Sequence, residues 1–217
     1  MSFARRYRTM MEAQQAAVSA QNIGSSTMTG TTYELHLDLL ANQKRQIKNA
    51  KSFSLKNELK MQFLPEWEAY LQGVLNANAG VQDQIIGQLM IWCIDVAEYD
   101  RAIEIATYML KHNLALPEHF SRDLEDAFAE EMANAWINCD PHLVSLSQLE
   151  RVAVLVQGLD MVDEVSAKLN RALGEAYFEH GDLANAQKHL SDAVEFNPRV
   201  GCKPLLQKVE KALNTQA

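Results

Sequence analysis

Several features that would place a protein quickly in a class are scarce here. The 217 residues hold three cysteines, Cys93, Cys139 and Cys202, with no CxxC pair among them. This spacing suggests neither a zinc site nor a disulfide framework. There are only 9 Gly and 5 Pro, which makes collagen-like and low-complexity chains poor fits. The longest uncharged stretch in the apolar centre, Gln84 to Ile94, has 11 residues, whereas a membrane-spanning helix needs about 20. Arg5, Arg6 and Arg8 near the N-terminus are followed by Glu12, Gln14 and Gln15 where a signal peptide needs an apolar run. These absences predict a soluble intracellular protein. Nothing resembles GxxxxGK[ST] or GxGxxG, so an ordinary P-loop motor is excluded from the chain, and HExxH and GxSxG are also missing.

What is present is an apolar content of 47%, enough at this length for a substantial core, and a charge of −8 that is unevenly divided. Residues 1–60 hold nine Lys/Arg against four Asp/Glu, a net +5; the remainder holds eleven against twenty-four, a net −13. A basic segment on an acidic body points to an anionic partner, nucleic acid foremost, with a solvated helical face as the plain alternative.

The periodicity predicts an all-α fold. Residues 1–32 read as a flexible basic arm and linker, in which residues 1–18 form a short helix that orders only on contact and Ser19 to Thr32 is the Ser/Thr/Gly-rich linker. Residues 33–62 read as a basic helical region. It opens at Thr32, a possible cap, with Leu35, Leu39, Leu40 and Ile47 at helical spacing, and is interrupted near Ser52-Phe53-Ser54. Lys44, Lys48 and Lys51, spaced by four and three, share one face. Such a ridge can neutralise successive phosphates and release their counterions.

Residues 63–213 read as a body of helical hairpins. Leu64-Pro65-Glu66-Trp67 opens a helix that Asn76–Gly80 closes, with Pro65 in a first turn. Residues 81–95 and 98–112 pair across Val96-Ala97, with Ile85, Leu89, Trp92 and Val96 in the core, and helices near 120–138 and 145–158 follow. Leu173-Gly174-x-x-Tyr177, Ala186-x-x-x-Leu190, Ala193 and Pro198 match the spacing of one tetratricopeptide repeat over 167–200, although Asn170 stands where that pattern carries a large residue.

Catalytic candidates are few. The six histidines are scattered without metal-ligand spacing. Carboxylates are plentiful, and two-metal phosphodiester chemistry requires little more than a cluster of them. Asp83 and Asp95 stand out near the first hairpin, with Glu98 and Asp100 beside them; Glu130-Glu131 and Asp163-Glu164 are further candidates. Capping or surface solvation accounts for each equally well. No cofactor is evident, and Mg²⁺ enters only if the chain is a nuclease.

Across roughly 33–213 the chain resembles the phage small terminase subunit family, in its terminase endonuclease branch. The residues that carry the likeness are Tyr33-x-x-x-Leu37, the basic helix after it, Leu64-Pro65-x-Trp67, Gly73-Val74-Leu75 and Val81-Gln82-Asp83. They continue through Met90-x-Trp92-x-x-Asp95, Ala102-x-Glu104-Ile105-Ala106, Tyr108-x-Leu110-Lys111, Leu116-Pro117, Asp163-Glu164-Val165-x-Ala167-Lys168-Leu169 and Gly181-Asp182-x-x-x-Ala186. The resemblance implies recognition of double-stranded viral DNA at a cos packaging site, a ring-like homo-oligomer, delivery to a large ATPase subunit in the host cytoplasm, and a share in endonucleolytic end formation. It places no membrane contact. Arg5, Arg6, Arg8, Lys44, Arg45, Lys48, Lys51, Lys56 and Lys60 are the expected DNA-binding residues. The competing expectation is a helical-repeat adaptor that binds a protein partner and never touches DNA.

Overall fold

A computed structural model describes residues 3–22, 24–138 and 143–216. Among them are ten helices: α1 (Phe3–Asn22), α2 (Thr31–Asn49), α3 (Phe53–Ala77), α4 (Gln84–Asp95), α5 (Tyr99–Lys111), α6 (Leu124–Ile137), α7 (Leu146–Val156), α8 (Asp163–Glu179), α9 (Leu183–Phe196) and α10 (Lys203–Gln216). The extended backbone amounts to one isolated parallel bridge, Thr27 with Gln82. The all-α expectation holds. Cys139 lies outside the described residues; Cys93 and Cys202 are buried free thiols.

The chain forms two compact units, 1–121 and 122–217. In the first, α3 is the spine. Ser52 caps it by accepting the Leu55 N–H at 3.2 Å, and Asn78 ends it in the left-handed region. Pro65 therefore lies inside a 25-residue helix and does not open one. The start is set upstream because Ser52 supplies the cap, while Leu64, Trp67, Tyr70, Leu71 and Val74 keep the later turns buried. The cap expected of Thr32 is likewise displaced: α2 starts at Thr31 after Gly30.

The sharpest difference concerns the arm. Residues 3–22 form α1 and pack on α3. The contact is made by Ala13, Ala17 and Ala20, all buried, and by Gly73 of α3. A Cβ built on Gly73 would stand 2.3 Å from the Met10 carbonyl oxygen and 2.9 Å from the Ala13 Cβ. Small residues on both helices allow this approach, and the apolar periodicity of α1 is weak because alanine carries it. The linker is also tied down: Met28 is buried and its N–H donates to the Gln82 carbonyl at 2.9 Å. Helices α4 and α5 form a hairpin on this base, with Ile85, Ile86, Leu89, Met90, Ile103, Ile105 and Met109 excluded from solvent.

The second unit comprises α6 to α10. Ser145 caps α7 in a reciprocal capping box with Gln148. Helices α8 and α9 form the most intimate hairpin of the unit, since Gly174 lets the Leu190 side chain come as close as a Cβ would stand. Ala186, Leu190, Ala193, Cys202 and Val209 close a small core under α10. Glu130 of α6 is buried between Lys168, at 2.6 Å, and Arg122. No helix among the described residues is long and apolar enough to cross a membrane.

Candidate nucleic-acid interface

Cations gather where α2 turns into α3. On α2, Lys44 and Lys48 are one turn apart and Arg45 flanks them; Lys51 lies in the turn and Lys56 in the first turns of α3. Arg45, Lys48 and Lys51 are exposed, and Lys44 and Lys56 half-buried. Among the described residues no ion pair engages Lys48, Lys51 or Lys56. The Arg45 guanidinium instead donates to Asn42 Oδ1. Lys44 has its pKa lowered by partial burial and stands 3.3 Å from His119, which is itself 3.1 Å from Gln88. Burial, and then the charge on Lys44, lowers the pKa of His119. The Lys44 ammonium is thus held by a largely neutral imidazole and not by a carboxylate.

Lys60 does not belong to this face. It is buried, and its Nζ donates to Asp95 Oδ2 at 2.7 Å and to Asn57 Oδ1 at 3.3 Å. With Asn57 donating to the Asp95 carbonyl at 3.0 Å, the pair fastens α3 to the end of α4. The lysine spacing gave no warning, because Lys56 and Lys60 lie one turn apart yet only Lys60 faces α4. On α1, Arg8 lies on the side away from the buried alanines and 3.7 Å from Glu12, and Arg5 is exposed on a flank of the helix. Arg6 borders a small cavity of about 230 Å³ with Glu68, Glu98 and Arg101.

The two carboxylates singled out for catalysis occupy opposite ends of α4. Asp83 caps its start and Asp95 is its last residue, which separates them by about 18 Å at 1.5 Å per residue. They cannot share a metal ion within one chain. Asp83 is fully buried; it accepts the Ile85 N–H at 2.8 Å and the Tyr70 hydroxyl at 2.8 Å. Burial pushes its carboxyl up to about 6, against the opposing pull of those hydrogen bonds. Burial also raises Tyr33, Tyr70 and Tyr108, and the Asp83 charge adds to each shift. This carboxylate organises a tyrosine-lined core and does not meet solvent. Among the described residues no group of three or more His, Cys, Asp or Glu side chains is arranged to hold a metal ion. Asp83 and Asp95 therefore do not form one Mg²⁺ site within a single chain.

A feature that sequence reading missed lies in the second unit. Helices α7, α8 and α9 enclose a groove of about 630 Å³. The Tyr177 and His189 rings stack in it at 5.4 Å, with Tyr177 donating to Glu150 at 2.7 Å and Asn170 2.8 Å from His189 Nδ1. Asn170, which breaks the repeat pattern, is therefore the polar support of His189.

The arrangement is that of an all-helical protein with one basic helical corner and a separate acidic unit. A sequence model of the phage small terminase subunit family matches residues 37–164, and the chain belongs to that family. The terminase endonuclease subunit of Escherichia phage P2 is 34% identical over 200 residues, 91% of this chain and 81% of that protein. A probable terminase endonuclease subunit of Haemophilus phage HP1 is 22% identical over 133 residues, 61% of this chain and 47% of that protein. No solved structure matches significantly.

Proposed function

We propose that this protein is the DNA-recognising subunit of a phage packaging terminase. It grips double-stranded viral DNA at the cos site, assembles as a homo-oligomeric ring in the host cytoplasm, and passes the DNA to a large ATPase subunit. The observation that carries this reading is the cationic corner of Lys44, Arg45, Lys48, Lys51 and Lys56, which stands clear of carboxylate partners within an otherwise acidic chain. Arg5 extends the grip from α1. Membership of the family supports the partners, and the name of the P2 relative supports a share in end formation.

The chemistry of cutting is proposed to lie outside Asp83 and Asp95. Asp83 is closed off from solvent and Asp95 neutralises a buried lysine. The purified chain, incubated with cos-containing DNA and Mg²⁺ or Mn²⁺, is expected to nick weakly or not at all. Robust cutting that Asp83→Asn or Asp95→Asn abolishes while DNA binding persists would overturn this assignment.

DNA binding itself is tested by affinity for cos-bearing duplex at two salt concentrations. A steep fall with salt is expected, and no measurable binding at low salt removes the reading. That second outcome favours a helical adaptor, for which the α7–α9 groove is the supporting observation. In either reading we take α8–α9 as a tetratricopeptide-like hairpin over 167–200. Support comes from Gly174 beneath Leu190, the buried Ala186 and Ala193, and Tyr177 at the groove.

A further inference from the structure

The α7–α9 groove is open, and apolar side chains remain exposed around it. Its walls include Val154, Leu159, Leu169, Leu173, Tyr177 and Phe196. Val154 is 70% exposed, Phe196 45% and Leu159 43%. Lys188 lines it, and two acidic groups lie beside that lysine. Glu150 lines it directly, and Asp192 lies on α9 midway between the lining residues Lys188 and Phe196 at successive four-residue steps. Both carboxylates act electrostatically on His189 in the wall. The unit that carries the groove, residues 122–217, holds nine Lys/Arg against sixteen Asp/Glu, a net −7.

The same chain carries an element of matching character. Helix α1 uses Ala13, Ala17 and Ala20 against α3, yet on another side it exposes Phe3 (86%), Tyr7 (55%) and Met11 (41%). These recur every four residues, so they form one stripe, about 12 Å long at 1.5 Å per residue. At about 100° per residue, Arg8 lies about 60° from Met11 on the flank away from Ala13 and Ala17, whereas Arg6 on the other flank borders the cavity with Glu68 and Glu98. An apolar ridge with Arg8 on its outer flank complements an apolar groove whose border carries Glu150 and Asp192 around Lys188.

We infer that the α7–α9 groove of one copy receives the Phe3–Tyr7–Met11 stripe of α1 from a second copy of this chain. Helix-in-groove recognition uses anchors at such helical spacing. The partner is a second copy because the complementary charge and apolar pattern both reside in this chain. The contact joins different surfaces of two identical molecules, so it is head-to-tail, and head-to-tail contacts propagate into rings when the rotation closes. The inference rests on the oligomeric reading above and supplies the contact through which that oligomer forms. Arg5 lies about 120° from Met11 and about 160° from Phe3 and Tyr7, so it stays outside the groove on docking.

The test uses full-length protein and light scattering. Wild type is expected well above the 24.4 kDa of one chain. Tyr7→Glu and Val154→Glu alter exposed positions, and circular dichroism checks that each variant stays helical. Each alone is expected at the single-chain mass. Mixed one to one, they are expected near 49 kDa, twice the 24.4 kDa chain, because one intact stripe then meets one intact groove and both remaining faces are blocked. Arg8→Glu is expected to weaken assembly at least tenfold, and Asp192→Arg in the same chain to restore it. A wild type that stays at one chain mass at tens of micromolar removes both the oligomeric reading and this contact. A wild-type oligomer that all these variants leave unchanged keeps the oligomeric reading and overturns the contact. Single-mass variants that fail to pair on mixing overturn the head-to-tail arrangement.

Discussion

Asp83 shows how one residue can look catalytic and be architectural. Its carboxylate caps α4, receives the Tyr70 hydroxyl and has no solvent exposure. Its pKa of about 6 lies above the ordinary 3.8, so the folded protein binds this proton more tightly than the unfolded chain does. The stabilising contribution of the proton is complete below about pH 4 and is lost as pH rises through about 6. The shift corresponds to roughly 3 kcal/mol, at about 1.4 kcal/mol per unit. Thermal melts should therefore show wild type losing several degrees relative to Asp83→Asn between pH 4.5 and 7. A difference that stays flat over that range would refute the shifted pKa.

Lys60 is the converse case, a residue of the basic segment that the fold removes from it. Its ammonium is held by Asp95 and Asn57 at the junction of α3 and α4. Removing one partner of such a buried pair leaves the other charge uncompensated, at a typical cost of about 3–5 kcal/mol for full burial; less is expected here because Asp95 is 31% exposed. Lys60→Met should lower stability by about 2 kcal/mol in urea unfolding while leaving DNA affinity within about twofold. A variant with wild-type stability and much weaker DNA binding would return Lys60 to the interface.

At the scale of elements, two glycines decide which helices meet. Gly73 admits the α1 backbone and Gly174 admits Leu190, each within 2.6 Å of where a Cβ would stand. Neither needs a positive φ; both act through close approach. Overpacking of this kind typically costs about 1–3 kcal/mol. At Gly73 the obstruction is backbone, which cannot rotate away, so Gly73→Ala should loosen α1 selectively. Hydrogen exchange should then rise at α1 amides while those of α4 and α5 remain protected. Uniform protection across the first unit would show that α1 shifts to accommodate the methyl group.

The basic corner is also an element-scale feature, since it exists only because α2 ends at Asn49 and α3 starts after Ser52. Five cations against five phosphates give a log–log salt slope of about −4.5, a loss of affinity of about 500-fold between 50 and 200 mM salt. Replacing Lys44, Lys48 and Lys51 by Glu should weaken binding to every duplex sequence and shrink the slope by about 3. An unchanged slope would move the DNA surface off α2.

For the whole molecule, charge separates along the chain: residues 1–121 sum to −1 while holding the basic corner, and residues 122–217 sum to −7. In the proposed function, polyanionic DNA is repelled by the charge of the second unit and attracted to the basic corner of the first. The same acidic unit offers the groove to an arginine-flanked helix. One charge distribution thus serves both proposed contacts.

The all-helical class, the α4–α5 hairpin and the buried Trp92 were determined by sequence alone, because apolar residues at 3.6-residue spacing specify a helical face wherever it packs. The cation ridge on α2 was legible for the same reason: Lys44 and Lys48 share a face in any helix. Only tertiary structure decided that α1 packs on α3, because the signal there is alanine and glycine, whose smallness matters only once two backbones approach. It also decided that Lys60 turns inward, that Asp83 and Asp95 lie a helix length apart, and that Asn170 supports His189 across the α8–α9 hairpin. Each of these is a relation between residues of different helices or between the ends of one. Periodicity reports which face of a helix is covered; the identity of what covers it comes from the packing.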